Sequence, residues 1–525
     1  MNTQGRSLSG ADGLYRAAQV RARDRAAIDA GGTGYALMVR AAAGALERLR
    51  ERWPDARRLL VLCGRGNNGG DGLVLARLAA AVGLQPRVVL FADPAQLRGD
   101  AARAHADLRA VSVSVERWHE QAFGESQFTA VDVVVDGMFG TGLSRPIEGH
   151  LAGVISAVNA SGRPVLALDC PSGVCSDTGA VLGIAVRAAL TVTFVERKVG
   201  HYLSLAPDYV GALRLERLGI DAMLPDPAPC PVAHLLPCSL LEAAFAAPRR
   251  VVAHKGNHGH VLVLGGAAGM AGAARLAGEA ALYAGAGLVT VATDEAHASV
   301  LNLGRPELMV HGVRAASMLA PLLERASVVV AGPGLGQGSW AIELLESVLH
   351  SDLPLLLDAD GLNLLARDPM KWRRRLRDRP SAQPVVLTPH PGEAGRLLGD
   401  RDARAVQLDR LGAHAGLVER FGAVVVLKGA GSLVGAPGWL PHVCDRGNPG
   451  MAVAGMGDVL SGVIGALMAQ AYAREPMVSA CLGVLAHATA GDLAVDRQGG
   501  QRGLLAGELP PLVRDCLNGR GVDGA

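Results

Sequence analysis

Two aspartates, each closing a glycine-rich stretch, carry the most chemical promise in this chain. In GRGNNGGDG, residues 64–72, Asn67, Asn68, Gly69 and Gly70 lead to Asp71; in GNPGMAVAGMGDVLSG, residues 447–462, Gly455, Met456 and Gly457 lead to Asp458. Glycines at a helix start present backbone N–H groups to phosphate oxygens, and the helix N-terminus is electropositive. A carboxylate placed there can also take a proton from a substrate hydroxyl, the chemistry expected of Asp458. Lys428, in VVVLKGAGSLV (424–434), offers a point positive charge. The first stretch departs from both the G-x-G-x-x-G and the P-loop patterns. Each acid also has a plainer reading, as the cap of a helix or turn.

Two further acids end apolar runs: Asp136 opens DGMFGTGLSRP (136–146), and Asp169 opens DCPSG (169–173). An unpaired carboxylate at a strand end is costly, so each is expected to have a partner or a task. With Asn68 and the Ser172 hydroxyl they offer hard oxygen ligands suited to K⁺ or Mg²⁺ rather than to a soft metal. A carboxylate is then left for proton transfer. His254, His258 and His260 lie in a glycine-spaced loop without the i,i+4 spacing of a helical zinc site, and are read as no metal centre.

Such groups need rigid elements to hold them. Apolar runs at 59–63, 87–91, 131–136, 165–169 and 190–194 alternate with helical patterns, a βαβ rhythm that predicts a mainly parallel sheet. After residues 221–239, where five prolines interrupt the rhythm, six more runs follow at 260–265, 288–293, 327–332, 354–360, 384–390 and 423–429. The expected organisation is two α/β domains, residues 1–225 and 235–520, joined by a semi-rigid linker. A length of 525 residues and a hydrophobic content of 50% suit two buried cores.

The formal net charge is +2 and aromatics are 3%, so neither a broad positive field nor base-stacking platforms mark a nucleic-acid binder. The eight cysteines show no C-x-x-C pair and read as reduced thiols. Residues 1–20 lack an apolar signal core, and the apolar run 451–473 contains Asp458, so no membrane span and a cytoplasmic location are expected.

GNNGGDG, DGMFGTGLSRP and DCPSG, in this order, resemble the NAD(P)H-hydrate epimerase family, with YRAAQVRARDRAAI and LMVRAAAGA similar to its N-terminal arm. The resemblance implies a Rossmann-like fold that interconverts R and S hydrated nicotinamide nucleotides, NADHX and NADPHX, at C6. It implies substrate contacts at Asn67, Asn68, Gly69, Gly70 and Asp71, along Gly140, Thr141, Gly142, Leu143, Ser144, Arg145 and Pro146, and at Asp169. It also implies K⁺ ligands at Asn68, Asp136 and Ser172; Asp169 is the candidate acid/base.

The second half resembles the ribokinase-like fold and, through TPHPGE, KGAGS and GNPGMAVAGMGDVLSG, the ADP-dependent NAD(P)H-hydrate dehydratase family over nearly all of residues 240–515. That resemblance implies that ADP, with Mg²⁺, phosphorylates the C6 hydroxyl of the S hydrate and that phosphate then leaves. It places the adenine nucleotide at Lys428, Gly429, Ala430, Gly431, Ser432 and Gly457. The hydrate falls at Ala273, Gly334, His390 and Asp458, with Asp458 the base. Small-molecule substrates and a homo-oligomer are expected. The competing readings are a ribokinase-like small-molecule kinase, which leaves GNNGGDG unexplained, and a first half that is a silent binding module, against which Asp136 and Asp169 argue.

Overall fold

The computed structural model describes residues 8, 10–111, 113–118, 123–220, 230–245, 248–377, 379, 383–470 and 475–520. It divides into two compact units, one of residues 13–233, the other of residues 234 onward together with the described residues before Gly13. Of the expected linker, residues 221–229 lie outside the described residues.

In the first unit, helices α1 (Ala17–Asp29) and α2 (Gly34–Arg52) precede the sheet. The strands are β1 (Arg58–Cys63), β2 (Gln85–Leu90), β3 (Ser114–Arg117), β4 (Val133–Gly137), β5 (Val165–Leu168), β6 (Leu190–Phe194) and β7 (Ala212–Glu216). Their order is β3-β2-β1-β4-β5-β6-β7, every neighbour parallel. The central strands β1, β4, β5 and β6 are largely apolar and buried because both faces are covered. Leu59, Val61 and Cys63 face a core shared with α1, α2 and α3 (Asn67–Ala81), whereas Leu60 and Leu62 face a second core with α4 (Gly149–Ala160). The order reverses between β1 and β4, so a crevice opens beyond their carboxyl ends, the usual ligand position in such sheets.

The second unit repeats the plan with β8 (Ala233–Leu235), β9 (His260–Leu264), β10 (Leu288–Thr293), β11 (Met309–Gly312), β12 (Val328–Ala331), β13 (Leu355–Leu357), β14 (Val385–Leu387), β15 (Val424–Leu427), β16 (Ser432–Gly435) and β17 (His442–Cys444). The order β8-β17-β16-β15-β14-β13-β12-β9-β10-β11 is parallel from β15 to β11, with β16 antiparallel to both β15 and β17. Here the order reverses between β9 and β12. The α/β class expected for both halves holds.

The apolar 451–473 run supplies a core helix of this unit, and its packing shows why glycine and alanine recur there. Taking α5 (Ala271–Tyr283), α6 (Ala359–Arg367), α7 (Pro391–Leu397), α8 (Arg410–Phe421), α9 (Met456–Ala469) and α10 (Pro476–Gln498) in chain order, α9 is buried along most of its length. A Cβ on Gly462 would stand 2.0 Å from the Ala277 carbonyl oxygen of α5. Gly462→Ala is therefore expected to force α5 and α9 apart and cost about 3 kcal/mol, read from the shift of this domain's chemical-denaturation midpoint. Helix α10 is long and apolar enough to cross a membrane, but 78% of its apolar window is buried within the fold.

Candidate active sites

In the first unit, α3 begins at Asn67, directly after Gly66, so most of the glycine-rich stretch lies within the helix's first turns. The glycines serve close packing. A Cβ on Gly69 would meet the Gly64 carbonyl at 1.9 Å, and one on Gly70 would meet the Met38 side chain at 2.6 Å. No side chain caps this helix, so the cap reading of its Asn and Asp residues does not hold. Asn67, Asn68 and Asp71 line a cavity of about 1120 Å³, together with residues 140–146 and Asp169. Gly69 and Gly70 lie buried beneath it.

Beside this cavity Asp136 is fully buried and accepts hydrogen bonds from the Ser172 N–H at 2.8 Å, the Ser172 hydroxyl at 2.6 Å and the Met138 N–H at 3.2 Å. Burial pushes its carboxyl up to about 6, against the pull of those donors. The Ser172 hydroxyl also accepts from the Phe139 N–H at 2.9 Å, and the Asn68 amide donates to the Phe139 carbonyl at 2.9 Å. The Asn68 Oδ1 is buried and has no hydrogen-bond partner. An orphaned amide oxygen beside a carboxylate and a hydroxyl is an all-oxygen donor set that fits a hard cation.

Asp169 ends β5 with φ +63°, a left-handed conformation that Asp tolerates better than most residues. It accepts from Lys198 Nζ, and at 3.2 Å from the Thr193 hydroxyl. Lys198 is 1% exposed and donates further to Thr193 Oγ1 at 2.9 Å and the Phe194 carbonyl at 2.8 Å. Burial alone would raise the Asp169 carboxyl; the charge and hydrogen bond of Lys198 outweigh it and hold the group below the usual carboxylate range. Asp71 is pushed well above that range by burial and by the neighbouring Asp169 and Asp24. Sequence reasoning missed Lys198 and Asp24. One signal was available: of 51 basic residues only four are lysines, Lys198, Lys255, Lys371 and Lys428.

In the second unit the strand ends converge likewise. Lys428, after β15, pairs with Asp358 at 2.6 Å and lies 3.9 Å from Glu393. Asp358 is 1% exposed and also accepts from the Ser461 hydroxyl of α9 at 2.7 Å. Gly455, at φ +91°, is the N-cap of α9, with no side-chain cap, so Asp458 stands in the first helical turn without the capping role. A Cβ on Gly457 would sit 3.2 Å from Lys428 Nζ, so that glycine leaves the ammonium open. Burial, then the charge of Asp358, pushes Asp458 up to about 7 against the pull of Lys428; burial likewise brings Glu393 to about 7.

The loop after Lys428 turns through Gly429 at φ +130° and Gly431 at φ +66°. Buried Arg410 holds it from α8 by donating to the carbonyls of Leu427, Lys428 and Gly431 at 3.1–3.2 Å. Gly429 and Ala430 are exposed at its tip, and Ser432 Oγ donates to the Gly429 carbonyl at 2.9 Å. The His390 ring caps α7, accepting from the Gly392 N–H at 3.0 Å. Ala273 and Gly334 meet at the switch point between β9 and β12, where the Ala267 N–H donates to the Gly334 carbonyl at 2.7 Å. Asp358, Glu393 and Arg410 went unmarked as site residues in the sequence, because their roles come from strands and helices distant along the chain. His254 and His260 are engaged in local hydrogen bonds, and no metal cluster of three His, Cys, Asp or Glu side chains exists among the described residues.

Two α/β domains, each gathering acids and one lysine at the carboxyl edge of its sheet, define a two-site enzyme. The family models agree: residues 34–200 match the YjeF-related protein N-terminus and residues 261–510 match NAD(P)H-hydrate dehydratase. The chain is 45% identical over 509 residues to the bifunctional NAD(P)H-hydrate repair enzyme Nnr of Coxiella burnetii, covering 96% of this chain and 99% of that protein. Its counterpart in Escherichia coli K12 is 42% identical over 511 residues, covering 96% and 94%. Among solved structures, a Bacillus subtilis ADP/ATP-dependent NAD(P)H-hydrate dehydratase co-crystallised with ATP/Mg²⁺ is 27% identical, covering 54% of this chain and 96% of that one, with a TM-score of 0.47. The chain belongs to the bifunctional NAD(P)H-hydrate repair enzymes, with an epimerase and a dehydratase domain. That assignment displaces the small-molecule-kinase and silent-module alternatives.

Proposed function

We propose that the first domain interconverts the R and S hydrates at C6 with Asp169 moving the proton, and that the second uses ADP to return the S hydrate to NADH or NADPH. The observation that carries the first half is the Lys198–Asp169 pair at the cavity edge, which keeps that carboxylate ionised and able to accept a proton. The substrate contacts are Asn67, Asn68, Asp71, the 140–146 loop and Asp169, with Gly69 and Gly70 acting from below. K⁺ would sit at Asn68, Asp136 and Ser172, where it supplies a fixed positive charge. Asn68→Ala is expected to raise the K⁺ concentration for half-maximal epimerase rate about tenfold while S-hydrate turnover holds, measured against a NaCl control.

In the second domain Lys428 has one close hydrogen-bond partner among the described residues, leaving donors for a nucleotide phosphate, and Gly457 with residues 429–432 supplies the surrounding backbone. Ala273, Gly334 and His390 face the hydrate. Asp458 takes the proton of the C6 hydroxyl as its oxygen bonds the β-phosphorus of ADP and the bond to AMP breaks. Phosphate, a far better leaving group than hydroxide, then departs from C6 with its bonding pair as the N1 lone pair forms C6=N1, and loss of a proton from C5 to water gives the C5=C6 double bond of the reduced nicotinamide. Mg²⁺ would enter with the nucleotide and neutralise phosphate charge, with the carboxylates of Asp358 and Glu393 nearby to help hold it. Purified protein given an R/S mixture of NADHX with ADP, Mg²⁺ and K⁺ should restore reduced-nicotinamide absorbance for both epimers. Recovery of the S fraction alone would remove the epimerase half, and no recovery would remove both.

A further inference from the structure

Inversion at a carbon bearing both a hydroxyl and a ring nitrogen needs two proton carriers, one to supply a proton and one to accept it. Asp169, paired with Lys198, serves as acceptor under the function proposed above, on which this inference rests. We propose that Asp24 of α1 is the proton donor that works with it.

Lysine has three N–H donors. In Lys198 all three are taken, by Asp169, Thr193 and the Phe194 carbonyl. Asp24 and Asp71 line the same cavity and have no hydrogen-bond or ion-pair partner among the described residues. Arg21, Arg65 and Arg145 also line it, but all three side chains belong to exposed residues at its rim. Of the five carboxyl groups lining the cavity, Asp24, Asp71 and Asp169 feel this one buried ammonium, and only Asp169 receives a hydrogen bond from it. The other two keep a proton more readily than free carboxylic acids do. Burial holds Asp24 at about 6, near the working range of a proton carrier, whereas Asp71 lies well higher and serves as a neutral donor to substrate.

The position of Asp24 is fixed by its neighbour. Buried Arg23 donates to Glu196 at 2.8 Å and to the Tyr15 hydroxyl at 2.9 Å, which sets the rotation of α1. Val20, Asp24 and Ile28, at helical spacing, then face the cavity.

In the step proposed, the Asp24 proton goes to the C6 hydroxyl oxygen. The C6–O bond breaks with its electron pair on the departing water, and the N1 lone pair forms a C6=N1 bond. A water then adds to the opposite face: its oxygen bonds C6, N1 recovers its pair, and the Asp169 carboxylate takes the released proton. Cavity water returns that proton to Asp24.

The test compares full-length wild type and Asp24→Asn, with K⁺, on R-NADHX, by the rate above the enzyme-free rate and by calorimetric binding of R-NADHX. S-NADHX turnover with ADP and Mg²⁺ in the same samples reports on the second domain. The expected result is a fall in R-to-S kcat of about 10²- to 10³-fold with the affinity for R-NADHX within threefold of wild type. A variant that keeps more than a fifth of the wild-type kcat overturns the proposal, as does loss of R-NADHX binding together with rate, which marks Asp24 as structural. A wild type that does not epimerise overturns the domain's function and this proposal with it.

Discussion

Asp458→Asn is expected to lower ADP-dependent turnover of S-NADHX by about 10³-fold, some 4 kcal/mol of barrier, while R-to-S epimerisation continues at the wild-type rate. The substitution keeps the side-chain volume and the helix start at Gly455, and removes the proton acceptor. Glu393 and Asp358 cannot take over, since one is tied to the His390 N–H at 2.8 Å and the other to Lys428 and Ser461. Burial and Asp358 hold Asp458 at about 7, so the acceptor form grows as pH rises. The wild-type rate should therefore climb through neutrality on the acid side of its profile. Steady-state assays of both activities in one preparation check the result, and parallel loss of the two would contradict it.

Asp169→Asn and Lys198→Met should each abolish epimerisation, by at least about 10²-fold, with S-hydrate turnover spared. Asparagine is the informative replacement because Asp169 sits at φ +63°, which Asn tolerates and Ala does not, so loss of activity cannot be assigned to backbone strain. Lys198→Met acts differently. It leaves Asp169 buried without a cation, and removing one partner of a buried pair costs about 3–5 kcal/mol. The first domain's unfolding midpoint should fall for both variants, because Asp169→Asn in turn leaves the Lys198 ammonium, 1% exposed, without its anion. A Lys198→Met protein that still epimerises would show that Asp169 does not depend on its ammonium.

The sequence made the central strands visible and hid the edges. LLVLC, VVVD, LTVTF and their counterparts in the second half are mostly apolar and buried because both faces are covered, whereas SVER at β3 and ALRLE at β7 mix charged residues into half-exposed strands. Strand-end acids were legible one by one, since a carboxylate closing an apolar run is chemically out of place. Their partners were not. Asp169 and Lys198 are 29 residues apart, and Lys428 and Asp358 are 70 apart, so only the sheet order brings them together. The glycines of GNNGGDG also meet a steric need that sequence alone does not show: Gly69 and Gly70 let α3 start against the Gly64 carbonyl and the Met38 side chain.

The scarcity of lysine in this chain has a practical use. With only four lysines in 525 residues, metabolic labelling of lysine Cε carbons gives four resonances, each assignable by a single substitution. Lys255 and Lys371 would mark solvent, while Lys198 and Lys428 would each report on one active centre. The occupancy of either centre could then be followed independently in the intact protein during turnover.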